Sequence, residues 1–246
     1  MRKFYAFLLV FIFSIVYRAS AQTPISGFYV TNNTVRTVVQ DGNTVYIGGD
    51  FTYVAPNNPY GASLNTTTGV PDLSYPKPNA QVNVAVPDGS GGWFIGGNFT
   101  KLGSQARNYI ARINADGTLH PWNPNASGAV NTIAVNGSTV YVGGSFNNIG
   151  GQARNSIAAL NATTGLATAW NPNSNNLVYT IAVSGSTVYA GGFFTTIGGQ
   201  PRDRIAALDA TTGIPTAWNP GADGQINTIA VNGSTVYAGG GFTTIG

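Results

Sequence analysis

The sequence predicts an all-β fold, a β-propeller of four-stranded blades on a repeat of about 48 residues, and three observations predict it. Gly-Gly pairs stand at 48–49, 96–97, 143–144, 191–192 and 239–240, at spacings of 48, 47, 48 and 48 residues. A phenylalanine lies two residues after each pair: Phe51, Phe99, Phe146, Phe194 and Phe242. The apolar stretch before each pair is split by a turn, most clearly at Asn136-Gly137 and Asn232-Gly233. Asn-Gly is a strong hairpin signal, because a type I′ turn needs positive φ at both central residues. A β-solenoid is the rival repeat fold. Its coils are usually shorter, and it rarely needs a hairpin in each one.

The elements follow in chain order. Met1-Arg2-Lys3 is a short basic start, residues 4–16 are an apolar run, and Ala19-Ser20-Ala21 supplies small residues for cleavage. Residues 1–21 therefore read as a secretory signal peptide, with an N-terminal anchor helix as the alternative. The apolar run is shorter than the ~20 residues a membrane span needs. Residues 22–32 hold Phe28-Tyr29-Val30, an N-terminal strand placed to complete the last blade and close a ring. The propeller repeats occupy 33–246, divided as 33–81, 82–129, 130–177, 178–225 and a partial 226–246.

The fourth repeat shows the pattern within a blade. Strand a is 178–183, and Ser184-Gly185-Ser186 turns the chain into strand b at 187–191. A loop through Ile197-Gly198-Gly199 leads to strand c at 205–209. The turn Ala210-Thr211-Thr212-Gly213 leads to strand d around 215–219. Trp-Asn-Pro closes three repeats, at Trp122, Trp170 and Trp218. The fixed phenylalanines and tryptophans are expected to fill the space between blades, where aromatic burial removes most area from water. Gly-Gly is expected at a close backbone approach or a bulge. The count of four full blades plus a partial fifth leads us to expect further blades after Gly246.

Composition excludes several chemistries. There is no Cys, no Glu, one His (His120) and one Met. Thiol nucleophiles, disulfide scaffolds, Cys-based zinc sites and multi-His metal clusters are excluded within this sequence. The net charge of +3 includes Arg2, Lys3 and Arg18 of the signal segment; without them eight basic residues face eight Asp. A neutral mature chain carries no electrostatic footprint for nucleic acid or an anionic membrane, so neither is expected as a partner.

Residues that recur in each blade read as structural. Arg107, Arg154 and Arg202 each lie eight residues after the repeat phenylalanine. Guanidinium groups there are expected to hold loop carbonyls or a neighbouring Asp, the alternative being an Arg ring that binds an anion. The first repeat carries Pro59-Tyr60 in that region, which breaks such a ring. The repeating tryptophans read as blade packing rather than a sugar-stacking row. The residues that break the repeat are the functional candidates: Tyr53, Tyr60, Lys77, Trp93, Lys101, Arg112, His120 and Asp203. Asp88-Gly89 and Asp116-Gly117 read as ordinary turns, since a calcium loop needs denser carboxylates. No catalytic, cofactor or metal residue is assigned.

The segment from Gly191 to Gln200, GGFFTTIGGQ, with Arg202, Ile205, Ala206 and Leu208 after it, resembles the delta-sixty repeat family of bacterial secreted β-propellers. The resemblance covers most of 32–246. It implies a propeller within a large exported protein and no defined catalytic residues. The stretch Ala207-Leu208-Asp209-Ala210-Thr211-Thr212-Gly213 with Trp218 is also similar to the tryptophan-docking repeat of quinoprotein dehydrogenases. That likeness implies pyrroloquinoline quinone and calcium. Here the Gly-to-Trp spacing is one residue longer, and Ile214 stands where that repeat has Lys. The likeness therefore reads as shared blade packing. The function expected is a non-enzymatic, secreted or cell-surface module that binds or scaffolds an extracellular protein or glycan. The alternatives are a fragment of a propeller enzyme, quinoprotein-like or hydrolytic, and a structural spacer.

Overall fold

The computed structural model describes residues 29–32, 35–41, 44–49, 54–56, 60–61 and 75–246. The signal segment and Tyr53 fall outside the described residues. The chain divides into two compact units, Met1–Asn57 and Asn58–Gly246. The first holds β1 (Tyr29–Thr31), β2 (Val35–Asp41), β3 (Thr44–Gly49) and β4 (Val54–Pro56). Here β2 pairs with β3 in an antiparallel hairpin. The strand expected in 22–32 is β1, and it pairs with β4.

The second unit holds three blades. Their sheets are β5 (Val82–Pro87), β6 (Trp93–Gly97) and β9 (Ile110–Ile113); β10 (Val130–Asn136), β11 (Thr139–Gly144) and β14 (Ile157–Asn161); and β15 (Val178–Ser184), β16 (Thr187–Gly192) and β19 (Ile205–Asp209). Between the second and third strand of each sheet lies a two-residue-strand hairpin where sequence suggested a loop. These are β7 (Lys101–Leu102) with β8 (Gln105–Ala106), β12 (Asn148–Ile149) with β13 (Gln152–Ala153), and β17 (Thr196–Ile197) with β18 (Gln200–Pro201). A last hairpin, β20 (Ile226–Asn232) and β21 (Thr235–Gly240), follows. The fold is an all-β propeller of antiparallel blades.

Two details differ from the sequence reading. The fourth strand of each blade is pared down to a single bridge, Ile113 to Leu119, Leu160 to Ala167 and Leu208 to Pro215. The cause is local. Thr216 still donates its N–H to Ala207, but Trp218 turns its N–H onto the Thr216 hydroxyl, and Pro220 has no N–H to continue the ladder. The hairpin turn also shifts by one residue. Asn136 pairs with Thr139 inside the ladder, so the loop is Gly137-Ser138, with positive φ at Gly137 alone. Glycine at the first central position is what a II′ turn needs, where Asn-Gly had suggested I′.

The core consists of slabs between successive blades, so inner strands such as β11, β14 and β19 are buried on both faces. Phe94 and Trp122 of one blade pack with Val130, Ile133, Val140, Val142, Phe146 and Leu160 of the next. Tyr141 and Trp170 then pack with Val178, Ile181, Val188, Phe194 and Leu208. The repeat phenylalanine thus faces the preceding blade and the repeat tryptophan the following one. Gly-Gly serves both slab and sheet. A Cβ on Gly143 would lie 2.6 Å from Val178 of the next blade, and one on Gly144 would lie 2.1 Å from the Ala129 carbonyl oxygen. The first glycine makes room for a knob from the next blade. The second sits at the register shift between Val130 and Thr132.

Hydrogen bonds between adjacent first strands complete the stacking. The Thr132 hydroxyl accepts the N–H of Ile181 at 3.1 Å, and the Thr180 hydroxyl accepts that of Ile229 at 3.2 Å. Both acceptors are buried, so these bonds satisfy groups water cannot reach.

Candidate binding surface

The recurring polar residues are engaged inside the fold. Arg107, Arg154 and Arg202 each donate Nη1 to the carbonyl of the preceding residue, at 2.7–2.8 Å. Their Nη2 atoms donate to His120, Thr168 and Thr216 carbonyls at 3.3, 2.7 and 2.8 Å. These arginines pin the residual fourth strand to the small hairpin, the loop-carbonyl role expected of them. Trp122 and Trp170 are buried and donate their indole N–H to the Asn161 and Asp209 carbonyls of the following blade. Each indole lies against a turn glycine of that blade, Gly165 or Gly213.

A second recurring clamp escaped sequence reading. Asn79, Ser127, Asn175 and Asp223 occupy one position of four repeats, and each accepts two successive N–H groups of the small-hairpin segment. The signal was present as a 48-residue spacing, but the varying side chain concealed it. The Thr243 hydroxyl and the N–H groups of Thr244 and Thr243 hold the Asp223 carboxyl well below the usual carboxylate range.

The repeat-breaking candidates divide. Tyr60 is exposed with φ of 64°, Trp93 is exposed on β6, Lys101 is exposed on β7, and Asp203 is exposed in a loop. Lys77 is half-buried and accepts the Gly103 N–H at its carbonyl. Arg112 and His120, by contrast, come together with Asp88 at the edge of the second blade. Arg112 Nε donates to Asp88 Oδ2 at 2.8 Å, and Nη2 donates to the Ser90 hydroxyl at 3.1 Å. Its guanidinium lies 5.3 Å from the Phe94 ring centroid. Nη1 reaches the Ala162 carbonyl of the third blade at 3.4 Å.

Environment sets the charge states of this cluster. Burial pushes the Asp88 carboxyl up. The N–H groups of Ser90 and Gly92, the Arg112 guanidinium and the Ser90 hydroxyl outweigh it and hold the group below the usual carboxylate range. His120 is moved the other way from its charged form. Burial, then the nearby Arg112 charge, lower its pKa, with partial offset from Asp88. Neutral His120 accepts the Trp122 N–H at Nδ1, 3.0 Å away. Thr168 and Thr216 accept the same bond in the next two blades, so His120 is a substitute for a threonine hydroxyl.

At the junction of the second and third blades lies an open cleft of about 200 Å³. Asn123, Asn125, Asn148, Thr164, Leu166 and the Gly150-Gly151 pair line it. Leu166 rises beside it, 61% exposed, and Ile214 takes the same position in the fourth blade, 59% exposed. Each is the residue after the turn glycine. Asn161 and Asp209 shape that turn by accepting two N–H groups each. The arrangement presents apolar side chains beside side-chain amides. Among the described residues no three His, Asp or Glu side chains gather as a metal site needs.

Known proteins place the fold. A family described as "Domain of unknown function (DUF5122) beta-propeller" matches residues 87–121. No curated protein matches the sequence. Among solved structures, the computationally designed Ika8 protein matches with TM-score 0.53 and 14% identity over 84% of this chain and 55% of that one. The chain thus spans about half the length of that design. The designed Ika4 protein matches with TM-score 0.46 and 14% identity, over 67% of this chain and 90% of that one. The extracellular domain of BT4673 from B. thetaiotaomicron matches with TM-score 0.40 and 16% identity, over 83% of this chain and 25% of that one. The residues 87–121 contain Asp88, Arg112 and His120, so the family match and the candidate cluster overlap. No helix among the described residues is long and apolar enough to cross a membrane.

Proposed function

We propose that the chain is a non-catalytic binding or scaffolding module, secreted or held at the cell surface, that engages an extracellular protein or glycan. One observation carries this reading. Leu166 and Ile214, at 61% and 59% exposure, repeat at equivalent positions of successive blades, with the amide-walled cleft beside the first. Repeated exposed apolar side chains flanked by amides suit a partner that offers apolar and polar groups at a matching interval. The basic and apolar N-terminal segment supports export, and the delta-sixty resemblance supports the exported setting.

The test is binding of the purified chain to a glycan array and to immobilised extracellular proteins, repeated with Leu166→Asp/Ile214→Asp. Binding that the double variant loses, with unchanged thermal unfolding, supports the reading. Binding to neither panel overturns it in favour of a spacer. Turnover of a panel substrate, or a bound chromophore or metal in the purified chain, overturns it in favour of a propeller enzyme.

A further inference from the structure

We propose that the entrance of the fourth blade, where β15 begins and β16 ends, is a carbohydrate site in which Phe193 stacks on one face of a pyranose ring, Leu177 extends that platform, and the Asn176 side-chain amide donates to the ring hydroxyls. Comparison between blades isolates the site. A residue that the architecture requires recurs, and one that departs from the repeat is available to a ligand. β15 and β16 meet in the register of β10 and β11, with Val178 opposite Gly192 as Val130 is opposite Gly144. Phe193 and Leu177 therefore stand where the third blade has Ser145 and Ala129, and the second has Asn98 and Gln81. The exposure of Phe193, 47%, belongs to this position, because Asn98 and Ser145, each followed by a complete blade, are exposed too.

The two apolar residues form one surface. Phe193 donates its N–H to the Leu177 carbonyl at 2.9 Å, which closes the pair beyond Val178 and Gly192. In the last hairpin a Cβ on Gly241 would lie 3.5 Å from Gln225 Cγ, so side chains at these two positions sit against each other. Tyr179 follows at the register shift between Val178 and Thr180. Asn83 and Asn131 occupy that position in the preceding blades and donate Nδ2 to the Val130 and Val178 carbonyls of the next. Tyr179 breaks this row of amides, and its hydroxyl bonds no other described residue.

A buried group that the neighbouring blades lack holds the entering segment. Ser174 is 3% exposed, and its hydroxyl donates to the Asn176 carbonyl at 2.7 Å. Ala126 and Ala222 stand at that position one blade before and one after. Asn176 Oδ1 accepts the Leu177 N–H at 2.8 Å, which leaves Nδ2 free on an exposed residue. Gly128 and Gly224 take the position of Asn176, and a Cβ on them would lie 2.7 and 2.0 Å from the Ser145 and Gly241 carbonyl oxygens. A side chain at Asn176 therefore requires the entering chain to stand off from β16, and the Ser174 bond fixes it there. Blade packing does without this device on either side. Fixing the contact groups before a ligand arrives reduces the ordering cost of binding.

These groups specify an uncharged ligand with an apolar face and a rim of hydroxyls, which is a sugar ring. One phenyl ring and one leucine match a pyranose in size and fall far short of the roughly 800 Å² that each partner gives to a stable protein interface. The Arg204 carbonyl accepts the Gly192 N–H, which places Asp203 and Arg204 at this end of the blade. They are opposite in sign, and Arg204 donates Nη1 to the Ala222 carbonyl at 2.6 Å, so no net charge is offered to a ligand. The site shares no residue with the Leu166 and Ile214 surface, so the two readings fail separately.

The probes are neutral hexose and N-acetylhexosamine oligosaccharides, with uronic-acid oligosaccharides as the charged comparison. They are titrated into the purified chain and read by saturation-transfer NMR. A neutral saccharide is expected to bind, with saturation strongest at the protons of one ring face. Phe193→Ser/Leu177→Ala, which writes the third blade's residues into the fourth, is expected to weaken binding about 10-fold or more with unchanged thermal unfolding. Phe193→Trp is expected to keep binding and Phe193→Leu to lose it, because stacking needs a flat ring. Leu166→Asp/Ile214→Asp is expected to leave it unchanged. Four outcomes overturn the proposal: no neutral saccharide binds, the uronic acids are preferred, Phe193→Leu binds as the parent does, or the loss falls in Leu166→Asp/Ile214→Asp instead. A protein ligand that Phe193→Ser/Leu177→Ala releases, with no saccharide bound by the parent, assigns the patch to a protein interface and also overturns it.

Discussion

Trp122 of one blade donates its indole N–H to the carbonyl of Asn161 in the next, at 3.1 Å, and Trp170 repeats the bond to Asp209 at 2.9 Å. The bond lies where the blade turn begins, and the Asn161 side chain shapes that same turn through the N–H groups of Thr163 and Thr164. One tryptophan therefore couples the interblade slab to the turn that exposes Leu166. Trp170→Ala is expected to lower unfolding free energy by about 3–5 kcal/mol, as large core truncations do. Trp170→Phe keeps most of the apolar area and removes one hydrogen bond, while the Gly213 N–H still reaches the Asp209 carbonyl, so the loss is about 0.5–1.5 kcal/mol. Urea denaturation of both variants checks the order.

Gly143 and Gly144 are expected to differ in how they fail. Alanine at Gly143 meets the side chains of Val178 and Thr132, which can be trimmed. Gly143→Ala is expected to cost about 1–3 kcal/mol, with part recovered in Gly143→Ala/Val178→Ala. Alanine at Gly144 meets the Ala129 carbonyl, which cannot be trimmed. Gly144→Ala is expected to be the worse variant, and no side-chain truncation should rescue it. Thermal unfolding of the double-mutant cycle decides.

His120 makes the second blade sensitive to mild acid. Its folded pKa lies below the ordinary imidazole value of about 6.5, because burial and then Arg112 disfavour the charged ring. The unfolded chain therefore binds the proton first. Stability contributed by neutral His120 is complete above about pH 6.5 and declines as pH falls through that value toward the lower folded pKa. Protonation also removes the Nδ1 lone pair that accepts the Trp122 N–H. His120→Thr installs the acceptor used by Thr168 and Thr216, and its unfolding midpoint should be flatter between pH 7 and 5 than the parent's.

Repetition explains what was legible in the sequence. The Gly-Gly pairs and phenylalanines of the second to fourth repeats, and the tryptophans that close them, recur in type because each meets a similar steric demand between blades, and their spacing exposes the blade. Polar positions are less constrained in type. Asn79, Ser127, Asn175 and Asp223 make equivalent bonds with three kinds of side chain, so no residue identity marks the clamp. The sequence suggests a fourth strand around 215–219, but a hydroxyl and a proline end the ladder there. In the sequence Asp88-Gly89 reads as an ordinary turn. The Asp88 carboxylate does accept the Ser90 and Gly92 N–H groups, but its second oxygen anchors Arg112, a partner 24 residues away that spacing does not reveal.

Arg112 takes over in the second blade a task that a phenol performs in the third. Tyr141 donates its hydroxyl to the Ala210 carbonyl at 3.1 Å, whereas Phe94 has no hydroxyl, and Arg112 lies over its ring and reaches Ala162 instead. The guanidinium is held by Asp88, whose side chain is 2% exposed against 18% for Arg112. Removing Arg112 alone leaves a buried carboxylate unpaired, which costs about 3–5 kcal/mol. Arg112→Ala should therefore be strongly destabilising. Because the Asp88 pKa is depressed in the folded chain, its contribution is present above about pH 4 and lost as pH falls below it. The parent should lose stability there, and Arg112→Ala should show a smaller loss. Phe94→Tyr/Asp88→Asn/Arg112→Ala restores a hydroxyl to the ring and removes the buried charge. If interblade bonding to the turn carbonyl is the task, this triple variant recovers most of the loss in urea denaturation. If Arg112 acts only through its pairing with Asp88, Asp88→Asn/Arg112→Ala recovers as much without the tyrosine.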